Sequence, residues 1–226
     1  MNKTVALLSR GLLGVASLAL QPVQAATPAV VVQALGDTFE TAGQFTLGFQ
    51  FMVTEALQLV TLGVFDAGQD GLSSPARVSL WDDWTGNLLA TTEIAAGTGA
   101  TLDGHFRQVV VNPVLLSPGM LYVVGAYLPA GEATSFNLGD GGSSGSFDGR
   151  LSEIMDRYWS DFSPSGNGND FPLDSSFQAQ GAWLGANFQL SPVPEPTTAG
   201  LLAMGLLAAA LRRRLHRARD DEPQPR

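Results

Sequence analysis

The run Trp81-Asp82-Asp83-Trp84 is the stretch of this chain best equipped to hold a ligand. An indole ring pairs a broad apolar face with a polar N–H. Such rings stack on the C–H faces of sugars while neighbouring carboxylates accept from their hydroxyls. The run is therefore a candidate carbohydrate site, and Tyr158 and Trp159 are aromatic groups that could extend it. The competing reading is a strand that ends in the core at Trp81, followed by a hairpin turn. Asp82 and Asp83 are adjacent, and adjacent strand residues face opposite sides of a sheet. That suits neither the acid nor the nucleophile of a glycosidase, whose carboxyl groups face each other roughly 5 to 10 Å apart. A second cluster, Asp66, Gln69 and Asp70 ahead of Gly71, gathers hard oxygens of the kind calcium takes. It lacks the spacing of a twelve-residue calcium loop, so a polar turn competes with a structural Ca²⁺ there. Asp140 and Asp148 form a weaker second pair.

Other chemistry is excluded by what the chain lacks. It has no cysteine and two histidines, of which His216 sits in a basic tail. His105 alone cannot build a multi-histidine zinc centre, and thiol catalysis and disulfides are ruled out. Gly141-Gly142-Ser143-Ser144-Gly145 satisfies G-x-S-x-G, but a nucleophile elbow needs a strand before it and a helix after it. Its flanks are glycine- and serine-rich. No catalytic residue is expected, and no cofactor beyond that calcium.

The elements that would position these residues read as strands. Phe45, Leu47, Phe49, Phe51 and Val53 alternate with Thr46, Gly48, Gln50 and Met52, a period of two. Further apolar runs cover 57–65, 77–81, 88–94, 106–111, 121–127 and 182–190, separated by Asp70-Gly71, Thr85-Gly86-Asn87, Asp103-Gly104, Ser117-Pro118-Gly119 and Pro129-Ala130-Gly131. Short strands with regular turn signals predict an all-β fold, an antiparallel β-sandwich of jelly-roll type over residues 26–190. Residues 137–149 and 163–176 read as long polar loops. Between them, Leu151, Ile154, Met155, Tyr158, Trp159 and Phe162 fall at helical spacing, so 151–162 is a short helix or a strand.

Both ends differ from this middle. Lys3 and Arg10 precede an apolar stretch from Gly11 to Leu20, and Val23-Gln24-Ala25 places small residues for cleavage after Ala25; residues 1–25 read as a secretory signal peptide. Near the other end, Thr197 to Leu211 carries no charge and is followed by Arg212, Arg213, Arg214, Arg217 and Arg219. Fifteen helical residues reach about 22 Å, short of a hydrocarbon core of about 30 Å. The arginines would keep the last residues, 218–226, cytoplasmic as a disordered tail, and Pro194 and Pro196 keep the preceding backbone extended. Without the ends, four arginines face eighteen carboxylates, a net charge of −14. Such a surface repels nucleic acid and attracts divalent cations or basic polymers.

The order Pro194-Glu195-Pro196, apolar span, arginine cluster over 191–217 resembles the PEP-CTERM sorting signal of Gram-negative bacteria, also labelled an ice-binding-protein C-terminal motif. The acidic end "DDEPQPR" is a small departure, since such proteins usually stop soon after the arginines. The resemblance implies passage through the secretion translocon and transient tethering to the inner membrane by a single short transmembrane helix. It also implies processing near the motif by an exosortase-type protease and release to the cell surface or an exopolysaccharide, biofilm-type matrix. The middle is similar to a secreted bacterial β-sandwich family of uncharacterised function. The stretches that carry this are "LGFQFMVTEALQLVTLGVFDAGQDGL", "VSLWDDWTGNLLATTEI", "FRQVVVNPVLLSPGMLYVVGAY" and "GANFQL". The expected function is a non-enzymatic surface or matrix protein. A carbohydrate-binding module around Trp81 and Trp84 is the alternative, and a glycan-processing enzyme a more distant one.

Overall fold

A computed structural model describes residues 25–40, 45–128, 133–139, 141–159, 170–175, 183–193 and 205–212. Its strands are Thr27–Pro28 (β1), Val30–Ala34 (β2), Thr38–Glu40 (β3), Phe45–Val53 (β4), Leu57–Phe65 (β5), Ala76–Asp82 (β6), Leu88–Ile94 (β7), Thr101–Asp103 (β8), Phe106–Leu116 (β9), Leu121–Leu128 (β10), Ala133–Phe136 (β11), Ser144–Phe147 (β12), Leu151–Trp159 (β13) and Ala186–Pro192 (β14). Sheet I has the order β1-β14-β5-β9-β8 and sheet II the order β13-β4-β10-β6-β7. Every pairing is antiparallel. Counting β1, β4, β5, β6, β7, β9, β10 and β14 as one to eight gives 1-8-3-6 facing 2-7-4-5, the strand order of a jelly roll. β8 and β13 extend the two sheets, and the short pairs β11–β3 and β12–β2 flank them.

The core is the interdigitated inner faces. Phe49 and Phe51 of β4 meet Phe188 of β14 with ring centroids 6.0 and 4.7 Å apart. Parity changes within β5: Leu57 and Leu59 are buried, then Leu62 and Val64. Pairing with both β9 and β14 shifts at Val60, and a bulge of this kind turns successive residues to the other side. β9 likewise continues past the predicted end at Val111. Its pairing skips from Val110 to Val114, so Pro113, which lacks an N–H, sits in the irregular part.

Residues 151–159 are a strand, which settles the alternative left by the sequence; 160–162 lie outside the described residues. Here too a bulge explains the pattern. Ser152 opposes Met52 and Met155 opposes Gln50, leaving Glu153 and Ile154 against one residue. Glu153 has φ +52°. The extra residue breaks the period of two and imitates helical spacing. The polar stretch 137–149 also contains a strand, β12, against β2. A Cβ on Gly145 would lie 2.2 Å from the Val31 carbonyl oxygen, so the glycine that reads as loop is what permits the pairing. The last strand begins at Ala186 rather than at 182, after a bridge between Leu184 and Phe136.

The sandwich unit spans Gln24–Val193. Its strand registers define two ends. Leu57 pairs with Pro192 and Leu116, Met52 with Leu121, Asp82 with Tyr122 and Val53 with Leu151. Thr27 pairs with Leu190. Turns 54–56, 83–87, 117–120 and 148–150 therefore share one end with both chain exits, called the near end below. The loops after β5 and β7 are at the far end. A separate unit contains a helix over 205–212 with exposed side chains. No helix among the described residues is long and apolar enough to cross a membrane.

Candidate functional site

The β6–β7 hairpin divides the run Trp81-Asp82-Asp83-Trp84 instead of uniting it. Trp81 pairs with Val123 and points away from the core, yet it is 1 % exposed. Gly48 and Gly125 are paired on the same outer face. A Cβ on Gly125 would lie 3.3 Å from the indole Cζ3, so the absent side chain of Gly125 leaves a trough that the Trp81 ring occupies. Phe171 closes it from above, edge-on at 6.2 Å. Trp81 is thus a structural side chain of the outer face and unavailable for stacking on a sugar. Trp84, at the turn, is 90 % exposed. Trp159 has no described side chain.

The two carboxylates are also separated. Asp82 Oδ1 accepts from the Thr85 amide and hydroxyl, each at 2.8 Å. The amide and then the hydroxyl of Thr85 hold the carboxyl below the usual carboxylate range. Gly86 N donates to Asp82 O at 2.9 Å and Asp82 N to Asn87 O at 3.0 Å, so the turn that presents Trp84 is stiff. Asp83 instead pairs with Arg157 of β13, Oδ1 to Nη2 at 3.0 Å. Gln50 accepts from the same nitrogen, and the buried Arg157 Nε has no partner among the described residues. Arg157 stands opposite Gly48 in the register of β13 on β4.

At the far end Asp66 Oδ2 accepts from Arg107 Nε at 2.8 Å and from Gly71 N at 3.1 Å. Arg107 uses its other nitrogens on the carbonyls of Thr98, Ala100 and Gln69. A cation drawn to Asp66 would meet that guanidinium first. Gln69 adopts φ +58° and its amide reaches Gly104 O and His105 Nδ1 at 3.2 and 3.3 Å. Asp70 is exposed. Among the described residues no three His, Cys, Asp or Glu side chains gather as a metal site would need. Asp140 lies outside the described residues. Ser143 is buried and accepts from Gly36 N at 2.9 Å, with a turn before it and β12 after it, which is not a nucleophile elbow.

A cluster that the sequence reading did not assemble lies at the near end. Thr27, Glu55, Asp148, Arg150 and Pro192 line a cleft of about 450 Å³. Arg150 Nη2 meets Asp148 Oδ2 at 2.8 Å, and Thr27 donates to that oxygen at 2.8 Å. Arg150 holds the Asp148 carboxyl down to about 2, and is itself raised by Asp148. Asp148 reads in the sequence as a weak cation ligand beside Asp140, and Thr27 is 121 residues from it, so nothing local signals the meeting with Arg150 and Thr27.

Ala25, the expected cleavage position, is exposed just before β1. Residues 1–24, the motif Pro194-Glu195-Pro196, Arg213, Arg214 and 218–226 lie outside the described residues, whereas Arg212 ends the helix at 205–212. No curated protein matches the chain. Residues 192–214 match the family model of the PEP-CTERM protein-sorting motif, which makes this an exported protein handled by an exosortase. Residues 32–180 match the model described as Domain of unknown function (DUF4082). This match takes in most of the sandwich and well over half of the chain, and the protein belongs to that family.

Proposed function

We propose that this is a non-enzymatic protein of the cell surface or extracellular matrix. On this reading it is held at the inner membrane by 197–211 until its tail is processed, and it then associates with exopolysaccharide. The observation that supports the reading is where the fold stops. β14 ends at Pro192 and lies inside sheet I between β1 and β5. The last described strand of the sheet ends before the motif begins at Pro194, so removing the tail leaves every described strand in place. The released domain would act through its surface, whose charge of −14 favours cation-bridged or basic polymers over nucleic acid. The test is fractionation of native cells with and without the sorting protease. The reading expects the protein in the medium or matrix in the first case and retained in the inner membrane in the second. Equal distribution in both would refute it.

The exposed ring of Trp84 keeps a second reading alive, a module that binds sugar. With Trp81 buried, one ring carries it. Glycan binding that Trp84→Ala abolishes would favour it, and a flat glycan array would end it.

A further inference from the structure

Trp84 lies at the end of the sandwich from which the tail departs, and chain length limits how far that end can stand from a bilayer. Four residues, Val193 to Pro196, separate Pro192 from Thr197, the first residue of the uncharged span. Fully extended, the five steps between the two Cα atoms reach at most about 18 Å. The span makes about 22 Å of helix against a hydrocarbon core of about 30 Å, and a short span thins the bilayer or draws its flanks inward. The connection is shortened accordingly, and each headgroup layer is itself only about 5–8 Å deep. The near end is therefore confined to the membrane surface whenever the span is inserted.

That end is suited to such a surface. Trp84 is the most exposed of the large apolar side chains in the described residues, and Met120, in the neighbouring turn, is 42 % exposed. The two turns are joined, since Asp83 N donates to Leu121 O at 3.1 Å. Leu88 and Leu115, near the same end, are also exposed. Tryptophan gains at the membrane–water interface because its ring is apolar and its N–H polar. The rigid Asp82–Thr85 turn means that little conformational freedom is lost on seating it. Charge does not forbid the contact. Among the carboxylates there, Asp83 pairs with Arg157 and Asp148 with Arg150, while Glu153 on the β13 bulge is exposed. Glu55 stands 3.9 Å from Arg150, and Asp82 is engaged by Thr85. The residual negative charge suits neutral headgroups better than anionic ones.

We propose that, before processing, the near end of the sandwich rests on a phospholipid surface with the Trp84 indole in the interface. This rests on the tethered state proposed above. The experiment uses the full chain in vesicles of phosphatidylcholine and phosphatidylethanolamine containing brominated lipid. Bromine should quench the share of emission belonging to Trp84, one of four tryptophans, and Trp84→Ala should remove that quenching. Adding phosphatidylglycerol should weaken it. A Trp84→Ala/Leu206→Trp chain reports the tail separately. Quenching of that reporter without quenching in the wild type would overturn the proposal and leave the tether standing. No quenching of the reporter would overturn both. Emission that vesicles leave unchanged but host exopolysaccharide shifts would overturn the proposal in favour of a sugar surface.

Discussion

The two ends of the sandwich handle charge in different ways. At the far end Arg107 is almost fully enclosed with Asp66 and binds three loop carbonyls besides. It joins the loop after β5 to the loop after β7, which also meet through Leu72 and Gly97. At the near end Arg150 and Asp148 pair beside solvent, both chain exits converge, and Trp84 projects. Arg107 and Asp66 are committed to holding loops together. The near end keeps exposed groups on stiff turns.

The largest expected effect breaks the far end. Arg107→Ala leaves the Asp66 carboxylate buried without its cation, and such a loss costs about 3–5 kcal/mol. Urea unfolding should show the midpoint falling accordingly. Trp81→Ala should cost a similar amount, about 3–5 kcal/mol, because the indole fills the trough over Gly125. If it cost no more than Trp84→Ala, the buried outer face described above would be wrong.

A smaller effect separates the near end by pH. The Asp148 carboxyl is lowered from 3.8 to about 2. Its contribution is complete above the unfolded value and is lost as pH falls from about 4 through about 2. The shift caps this at about 2 kcal/mol, nearer 1 after solvent screening. Arg150→Ala should flatten that acid limb of the stability curve, as urea midpoints between pH 5 and 2 would show. The smallest effect is Trp84→Ala, which should alter stability by less than about 0.5 kcal/mol.

Much of the fold was legible because it rests on local alternation. β4 and β5 fall where the apolar periodicity puts them, and the jelly-roll order follows from strands and turns. The failures share one cause. In β13 the bulge at Glu153 produced helical spacing, and in β12 Gly145 read as loop although close backbone approach requires it. Both features depend on the partner strand. The site was less legible. The sequence leaves open whether Trp81 joins Trp84 in a ligand site or ends a strand in the core, and Gly125 of β10 and Phe171 decide how Trp81 is buried. Asp66 reads as a cation ligand until a guanidinium from β9 arrives beside it. The sorting tail was fully legible, since its information lies in the order of parts along the chain.

On the function proposed here, a sandwich whose last strand ends at Pro192 is carried by a removable address. The most direct test is the intact mass of the protein recovered from the envelope and culture medium of its native host. The account predicts a chain that starts at Ala26 and ends between Pro194 and Pro196. A recovered chain that still carries the span and arginines of residues 200–215 would contradict it.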